Sequence, residues 1–129
     1  MLIIIIGLAG SGKTTYYHNN ISKKYELYDD FISNFFDGEI IEKINQDLCL
    51  IDPRLCNYKL FKKIMTEIEK FIDKSQIKLL LFENNHKRCL INAEKRGNKN
   101  VSKMIDIYST LYDLKNYKEY NYEILKVYE

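Results

Sequence analysis

The sequence lacks both long apolar runs and a secretory leader. No stretch approaches the roughly 18 consecutive apolar residues that a membrane-spanning helix requires. The first residues have neither the basic start nor the small-residue cleavage site of a signal peptide. We therefore expect a cytoplasmic protein that does not span a membrane.

Cysteine and net charge are also low. Cys49, Cys56 and Cys89 are odd in number and lack the paired spacing of metal ligands, so we expect three reduced thiols. The net charge of +2 is close to balance. This balance argues against a protein that coats nucleic acid nonspecifically.

The remaining composition is that of one small globular domain. With 129 residues, 46% of them hydrophobic, the chain can bury one core, and we expect a single domain over residues 1–129. Ile, Lys and Asn are used heavily and proline occurs once. That bias suits an AT-rich genome, such as that of a virus, phage or parasite.

The most specific motif lies at the N-terminus. Residues 7–14 read G-L-A-G-S-G-K-T and match G-x-x-x-x-G-K-[ST] in full. They follow a short apolar run at residues 2–6, and residues 14–24 have helical character. Strand, loop and helix thus occur in the order that a phosphate-binding loop requires. We predict such a loop and call residues 7–14 the glycine-rich loop.

Each residue type in this loop suits phosphate chemistry. Glycines let the backbone curl tightly and let N–H groups approach phosphate oxygens, and the following helix directs its positive end at the same anion. Lys13 is predicted to neutralise the β- and γ-phosphates, and Thr14 to place its hydroxyl on Mg²⁺. The predicted nucleotide-binding residues are Gly7, Leu8, Ala9, Gly10, Ser11, Gly12, Lys13, Thr14 and Thr15.

Beyond the loop, the chain alternates between strand-like and helix-like stretches. This alternation predicts an α/β protein with a parallel sheet and helices on both faces. The predicted strands are residues 2–6, 25–28, 48–51, 77–82 and 122–128. The predicted helical segments are residues 14–24, 30–36, 39–46, 57–74 and 101–114, and residues 115–121 are predicted to be a polar surface connection.

Two acidic positions follow predicted strands, where ligands of open α/β sheets collect. Asp52 ends an apolar strand, which resembles a Walker B strand and suggests a metal ligand; the alternative is a strand-ending turn. Asp29 and Asp30 follow the second strand. One of them could take the proton from an acceptor hydroxyl, while the alternative is a helix N-cap, and the sequence does not separate the two residues.

A basic segment follows the fourth strand. Arg88 and Arg96 are candidates to stabilise phosphate charge in a transition state, ahead of Lys87 and Lys95; the alternative is a solvated helix face. Arg54 could contact a substrate phosphate or lie on the surface. The two histidines, His18 and His86, show no partner pattern and are predicted to be structural or exposed.

Together these features resemble the small P-loop kinases, closest to the polynucleotide-kinase-like and adenylate-kinase-like group. The resemblance spans nearly the whole chain, but only the glycine-rich loop is specific. It implies a three-layer P-loop NTPase fold with strand order 2-3-1-4-5, and γ-phosphoryl transfer from ATP with Mg²⁺. Lys13, Thr14 and Thr15 match the family's nucleotide loop, Asp29 or Asp30 its activating acid, and Arg96 and Arg88 its lid arginines.

The chain departs from this group in being short and in lacking a double-arginine or cysteine lid. The implied acceptor is a nucleotide, a nucleoside or a nucleic-acid 5′ end, and the implied state is a monomer or weak homodimer. One alternative is a regulatory module that binds ATP without a dedicated acceptor, and another is a nucleoside monophosphate kinase. A small GTPase is disfavoured because residues 97–101 have Val101 where the base-reading Asp belongs.

Overall fold

Five parallel strands form the centre of the protein. The computed structural model describes residues 1–97 and 99–128, with every side chain among them except those of Phe36 and Lys99. The strands are β1 (Leu2–Ile6), β2 (Glu26–Asp29), β3 (Leu48–Ile51), β4 (Ile77–Phe82) and β5 (Asn121–Leu125). Their order is β2-β3-β1-β4-β5, and each pairing is parallel. The α/β class and the predicted strand order are confirmed.

Helices connect the strands. They are α1 (Lys13–Asn20), α2 (Glu39–Glu42), α3 (Tyr58–Ile68), α4 (His86–Lys95) and α5 (Ser102–Leu111). Short 3₁₀ helices cover Phe31–Asp37, Pro53–Cys56, Lys74–Gln76, Lys99–Val101 and Leu114–Tyr117.

The two faces of the sheet carry separate apolar clusters because side chains alternate along each strand. Leu2, Ile4 and Ile6 of β1 belong to the larger cluster, which includes residues of α3, α4 and α5. Ile3 and Ile5 belong to the smaller cluster, which Tyr17 of α1 covers. Helices therefore lie on both faces, and β1 is buried along its whole length.

β1 is the central strand, and its position determines where a ligand can bind. Its neighbours are β3 on one side and β4 on the other. The chain therefore leaves β1 at the point where the strand order reverses, which is where open α/β sheets form a crevice. The glycine-rich loop occupies that point, between β1 and α1.

Four helices are shorter than predicted. α2 ends at Glu42 instead of Gln46, and α5 ends at Leu111 instead of Leu114. α1 ends at Asn20 instead of Lys24, and α3 ends at Ile68 instead of Lys74. The N–H groups of Phe71 and Ile72 both donate to the Ile68 carbonyl, so the chain turns there. Phe71, which the helical pattern places on the buried face, is 54% exposed as a result.

The segment predicted to be a polar surface connection contains two core residues, Tyr117 and Tyr120. Tyr117 is fully buried, its ring lies 4.8 Å from that of Phe61, and its hydroxyl donates to the Leu55 carbonyl at 2.6 Å. The prediction is wrong at both positions because an amphipathic Tyr in a polar stretch can bury its ring and satisfy its hydroxyl.

No helix in the described part of the chain is both long and apolar enough to cross a membrane.

Candidate functional site

The glycine-rich loop has the backbone conformation that its glycines permit. Gly10 has φ 82° and Gly12 has φ 103°, both in the left-handed region that disfavours other residues. Gly12 is also the N-cap of α1. The loop therefore ends at the positive end of a helix of eight residues.

The loop is also packed too closely for side chains. A Cβ added at Gly10 would lie 2.5 Å from the Cys89 carbonyl oxygen, and one at Gly12 would lie 2.8 Å from Cβ of Tyr128. Both distances are well below ordinary contact. The two glycines thus allow the loop to turn, and they also allow α4 and Tyr128 to pack closely against it.

Lys13 is a buried cation at the base of the loop. It is 7% exposed, and its Nζ donates to the Gly7 and Leu8 carbonyl oxygens at 2.9 and 2.7 Å. Burial lowers the pKa of this ammonium group below its ordinary value. Carbonyl dipoles compensate a buried charge only in part, so an anion brought to this place would gain a strong partner.

A cavity of about 300 Å³ opens beside Lys13. It is lined by Ala9, Gly10, Gly12, Lys13, Thr14, Asp29, Asp30, Ile51, Pro53, Ala93, Arg96, Val101 and Met104. The structure therefore brings three predicted groups together: the loop, the acidic pair and one of the two arginines. Ile51, Pro53, Ala93, Val101 and Met104 were not predicted as site residues, because apolar lining has no sequence signal distinct from core packing.

Asp29 and Asp30 differ in their settings. Asp29 is the last residue of β2, and its Oδ1 accepts from the Asp30 N–H at 2.9 Å. Desolvation raises the pKa of the Asp29 carboxyl, and the Asp30 carboxylate raises it further, while Lys13 acts against both. Asp30 is at the N-cap position of a 3₁₀ helix, but its side chain makes no capping bond. The Asp30 side chain therefore does not cap this helix.

Asp30 also has an unusual backbone. Its φ of 50° is the one positive value outside glycine in the described residues. Asp tolerates this region better than most residues, at a cost of about 1–2 kcal/mol. Such strain in a cavity wall is typical of functional sites.

Asp52 is fully buried at the end of β3 and is held by four hydrogen bonds. Arg54 donates from Nε to Oδ1 at 2.9 Å and from an Nη to Oδ2 at 2.7 Å. The backbone N–H groups of Arg54 and Ile32 complete the set. These bonds occupy about four lone-pair sites, which is the capacity of a carboxylate.

The turn interpretation of Asp52 is thereby confirmed, since it caps the 3₁₀ helix Pro53–Cys56. Its role as a Mg²⁺ ligand stays a prediction, and direct coordination requires Arg54 to move away. Across residues 1–97 and 99–128, no group of three or more His, Cys, Asp or Glu side chains is placed to hold a metal ion.

The basic segment forms α4 and places its arginines apart. Arg96 follows the last turn of α4 and lines the cavity, whereas Arg88 lies in the first turn, about 12 Å away along the axis at 1.5 Å per residue. Arg88 is half-buried, and its Nε has no hydrogen-bond partner among the described residues. Lys87 and Lys95 are exposed and do not line this cavity.

The histidines and cysteines do not contribute to the cavity. His18 is exposed, and His86 pairs with Asp106 at 2.6 Å between α4 and α5. All three cysteines are free, and each is buried. Burial raises the pKa of Cys49 and Cys56 to about 12 and that of Cys89 to about 11, so none is a reactive thiolate.

A second, smaller cavity of about 220 Å³ shares Arg96 with the first. Asn92, Lys95, Arg96 and Tyr128 line it. Asn92 and Tyr128 were not predicted as site residues, because a single Asn in the basic segment carries no signal and Tyr128 is the last residue of the predicted final strand. Asn98, part of the disfavoured GTPase element, lies outside the described residues.

Comparison with known proteins identifies a relative of this chain but gives no function for it. No protein-family model matches the chain. An uncharacterized protein of Acanthamoeba polyphaga mimivirus is 37% identical over 134 aligned positions, which cover 99% of this chain and 97% of the relative. The viral source of this relative agrees with the composition. The chain therefore belongs to the same family as this mimivirus protein.

Proposed function

We propose that this protein is a P-loop kinase of the polynucleotide-kinase-like and adenylate-kinase-like group, which transfers the γ-phosphoryl group of ATP to a hydroxyl acceptor. One observation carries the proposal. The complete G-x-x-x-x-G-K-T motif follows the central strand of the sheet, and its buried Lys13 shares a cavity with Asp29, Asp30 and Arg96. Phosphate-binding groups and a candidate base thus face one space.

The donor side of the cavity consists of the loop and Arg96. Phosphate oxygens replace the Gly7 and Leu8 carbonyls as partners of the Lys13 Nζ, and the N-terminus of α1 adds its dipole. Thr14 and, through water, Asp52 are the residues that would hold Mg²⁺, which would offset negative charge on the β- and γ-phosphates. The smaller cavity beside Tyr128 and Arg96 suits the nucleotide's base.

The acceptor side consists of the acidic pair. The acceptor hydroxyl gives its proton to the Asp29 carboxylate as its oxygen forms the new bond to the γ-phosphorus. The bond between that phosphorus and the bridging oxygen breaks, and ADP leaves with the electron pair. A raised pKa suits Asp29 to this role, because a base closer in pKa to the working pH transfers protons more effectively.

A hydroxyl acceptor is favoured over a phosphate acceptor. A nucleoside monophosphate would bring negative charge beside Asp29 and Asp30. Arg54, which directly follows the cavity-lining residue Pro53, already binds Asp52 through two side-chain donors and Ser33 through a third bond. Its charge is largely neutralised by Asp52, so it offers an acceptor phosphate little attraction.

Transfer from γ-labelled ATP tests the proposal. Wild type and Lys13→Ala are given ATP and Mg²⁺ with nucleosides, nucleoside monophosphates and 5′-hydroxyl oligonucleotides in parallel. We expect label on a hydroxyl acceptor with wild type and none with Lys13→Ala. Release of labelled phosphate to water alone, unchanged by Asp29→Asn, would favour the regulatory ATPase module. Label on a monophosphate's phosphate group would favour the monophosphate kinase.

A further inference from the structure

The C-terminal residues lie against the glycine-rich loop. The Tyr128 N–H donates to the Ser11 carbonyl at 2.9 Å. Val127 is buried, and its N–H donates to Glu83 Oε1 at 3.2 Å. Gly12 leaves no room for a Cβ against Tyr128. Residues 127–128 are thus docked on the loop by hydrogen bonds and by close packing.

Asn92 joins this C-terminal segment to the loop from a third direction. It lies in α4, is 7% exposed, and donates from one Nδ2 to the Gly10 carbonyl at 2.9 Å and the Tyr128 carbonyl at 2.6 Å. These partners are 82 and 36 residues away in sequence. One side-chain amide therefore ties α4, the loop and the C-terminal segment together.

These contacts fix the orientation of two successive peptides in the loop. The Gly10 carbonyl is held by Asn92, and the Ser11 carbonyl is held by the Tyr128 N–H. Because a trans peptide is planar, holding a carbonyl outward directs the N–H of the same peptide the opposite way. The Gly12 N–H is thus directed away from Tyr128, as a phosphate-binding loop requires, while the Ser11 N–H donates to the Leu8 carbonyl at 3.1 Å within the loop.

We propose that Asn92 is a positioning residue of the phosphate site. With the backbone of Tyr128 it holds the loop in its binding conformation, so affinity for polyphosphate depends on a side chain that does not contact phosphate. The inference rests on the polyphosphate function proposed for the loop.

Asn92 also lines the smaller cavity, so it could affect ATP binding by contact with the base. Inorganic tripolyphosphate separates the two effects because it has no base. Loss of positioning weakens tripolyphosphate and ATP equally. Loss of a base contact weakens ATP alone.

The test is calorimetric titration of the full chain with magnesium tripolyphosphate and with magnesium ATP. Asn92→Ala is compared with Asn84→Ala, a matched control whose Nδ2 also bridges two carbonyls, those of Ser109 and Tyr112, away from the loop. We expect Asn92→Ala to weaken both ligands about tenfold, the size of a lost hydrogen bond, and Asn84→Ala to leave both unchanged. If Asn92→Ala does not fold, Tyr128→Pro, which removes the donor to Ser11, replaces it.

Unchanged affinity in Asn92→Ala, or a loss confined to ATP, would overturn the inference. If wild type binds neither ligand, the proposed function of the loop fails instead, and amide hydrogen exchange decides the inference. Faster exchange at residues 10–13 in Asn92→Ala than in Asn84→Ala would then support the coupling of Asn92 to the loop. Equal exchange in the two variants would refute it.

Discussion

The positive charge of Lys13 is buried and only partly compensated by its neighbours. Its Nζ has backbone carbonyls as partners, and burial lowers its pKa. A bound polyphosphate favours the charged ammonium and therefore raises that pKa. At a pH between the lowered pKa and the ordinary 10.5, the complex holds more protons than the free protein.

Polyphosphate affinity should therefore fall as pH rises through the lowered pKa of Lys13, and binding in that range should take up protons. Calorimetry in buffers of different ionisation enthalpy, over the pH range below 10.5, measures both effects. Wild-type affinity that stays flat across this range, with no proton uptake, would show that Lys13 is not the titrating partner.

The acidic pair allows the two carboxylates to be told apart. Asp29→Asn should lower kcat about 10²- to 10⁴-fold while ATP affinity stays within about twofold, because the base acts on the acceptor. Asp30→Asn should lower kcat much less. Its distinctive effect is on pH: without the Asp30 charge, the pKa of Asp29 falls, so the acid limb of kcat/KM moves to lower pH. The opposite ranking of the two variants would assign the base to Asp30.

Two kinds of glycine can be compared at the level of the loop and its neighbouring elements. Gly10→Ala forces alanine into a left-handed φ of 82° and also places its Cβ 2.5 Å from the Cys89 carbonyl oxygen. Gly38→Ala forces a similar φ of 92°, but its added Cβ meets no atom within 4 Å. We expect Gly38→Ala to cost about 1–2 kcal/mol in urea unfolding and Gly10→Ala about 1–3 kcal/mol more. Equal losses would mean that α4 does not pack on the loop as described.

The aromatic cluster beneath the 3₁₀ helix Leu114–Tyr117 gives a second test at this scale. Tyr117→Phe leaves the buried Leu55 carbonyl without its partner and should cost about 1–3 kcal/mol of unfolding free energy. Tyr117→Ala should cost about 3–5 kcal/mol through the cavity it leaves. Tyr122→Phe, at a position that is 37% exposed, is the control and should change stability by less than about 0.5 kcal/mol. If Tyr117→Phe matches this control, the hydroxyl bond contributes nothing.

At the scale of the whole molecule, the sequence predicted best those elements that are determined by neighbouring residues. β1 and the loop form one continuous signal in residues 2–14, and β4 was predicted with its observed bounds, because apolar strands and glycine motifs are specified by adjacent residues. Strand order came from the resemblance. Helix ends were less predictable, since α3 stops where the chain turns at Ile68 and not where its apolar pattern stops.

What sequence could not supply is contact between distant segments. Asn92 meets Gly10 and Tyr128 only because α4 and the end of β5 both lie beside the loop. Arg54 neutralises Asp52 because a turn brings its guanidinium back over the strand end, which an Asp-Pro-Arg sequence does not reveal. Arg88 and Arg96 looked equivalent in the basic segment, and only the direction of α4 separates them.

The measurement that tests the central claim most directly is calorimetric titration of wild type and Lys13→Ala with ATP and Mg²⁺. The loop, the buried lysine and the cavity predict saturable binding by wild type and binding weakened by at least about tenfold in Lys13→Ala, since a charge-assisted contact to phosphate is lost. Absence of binding in wild type, or equal binding by a folded Lys13→Ala, would contradict the account.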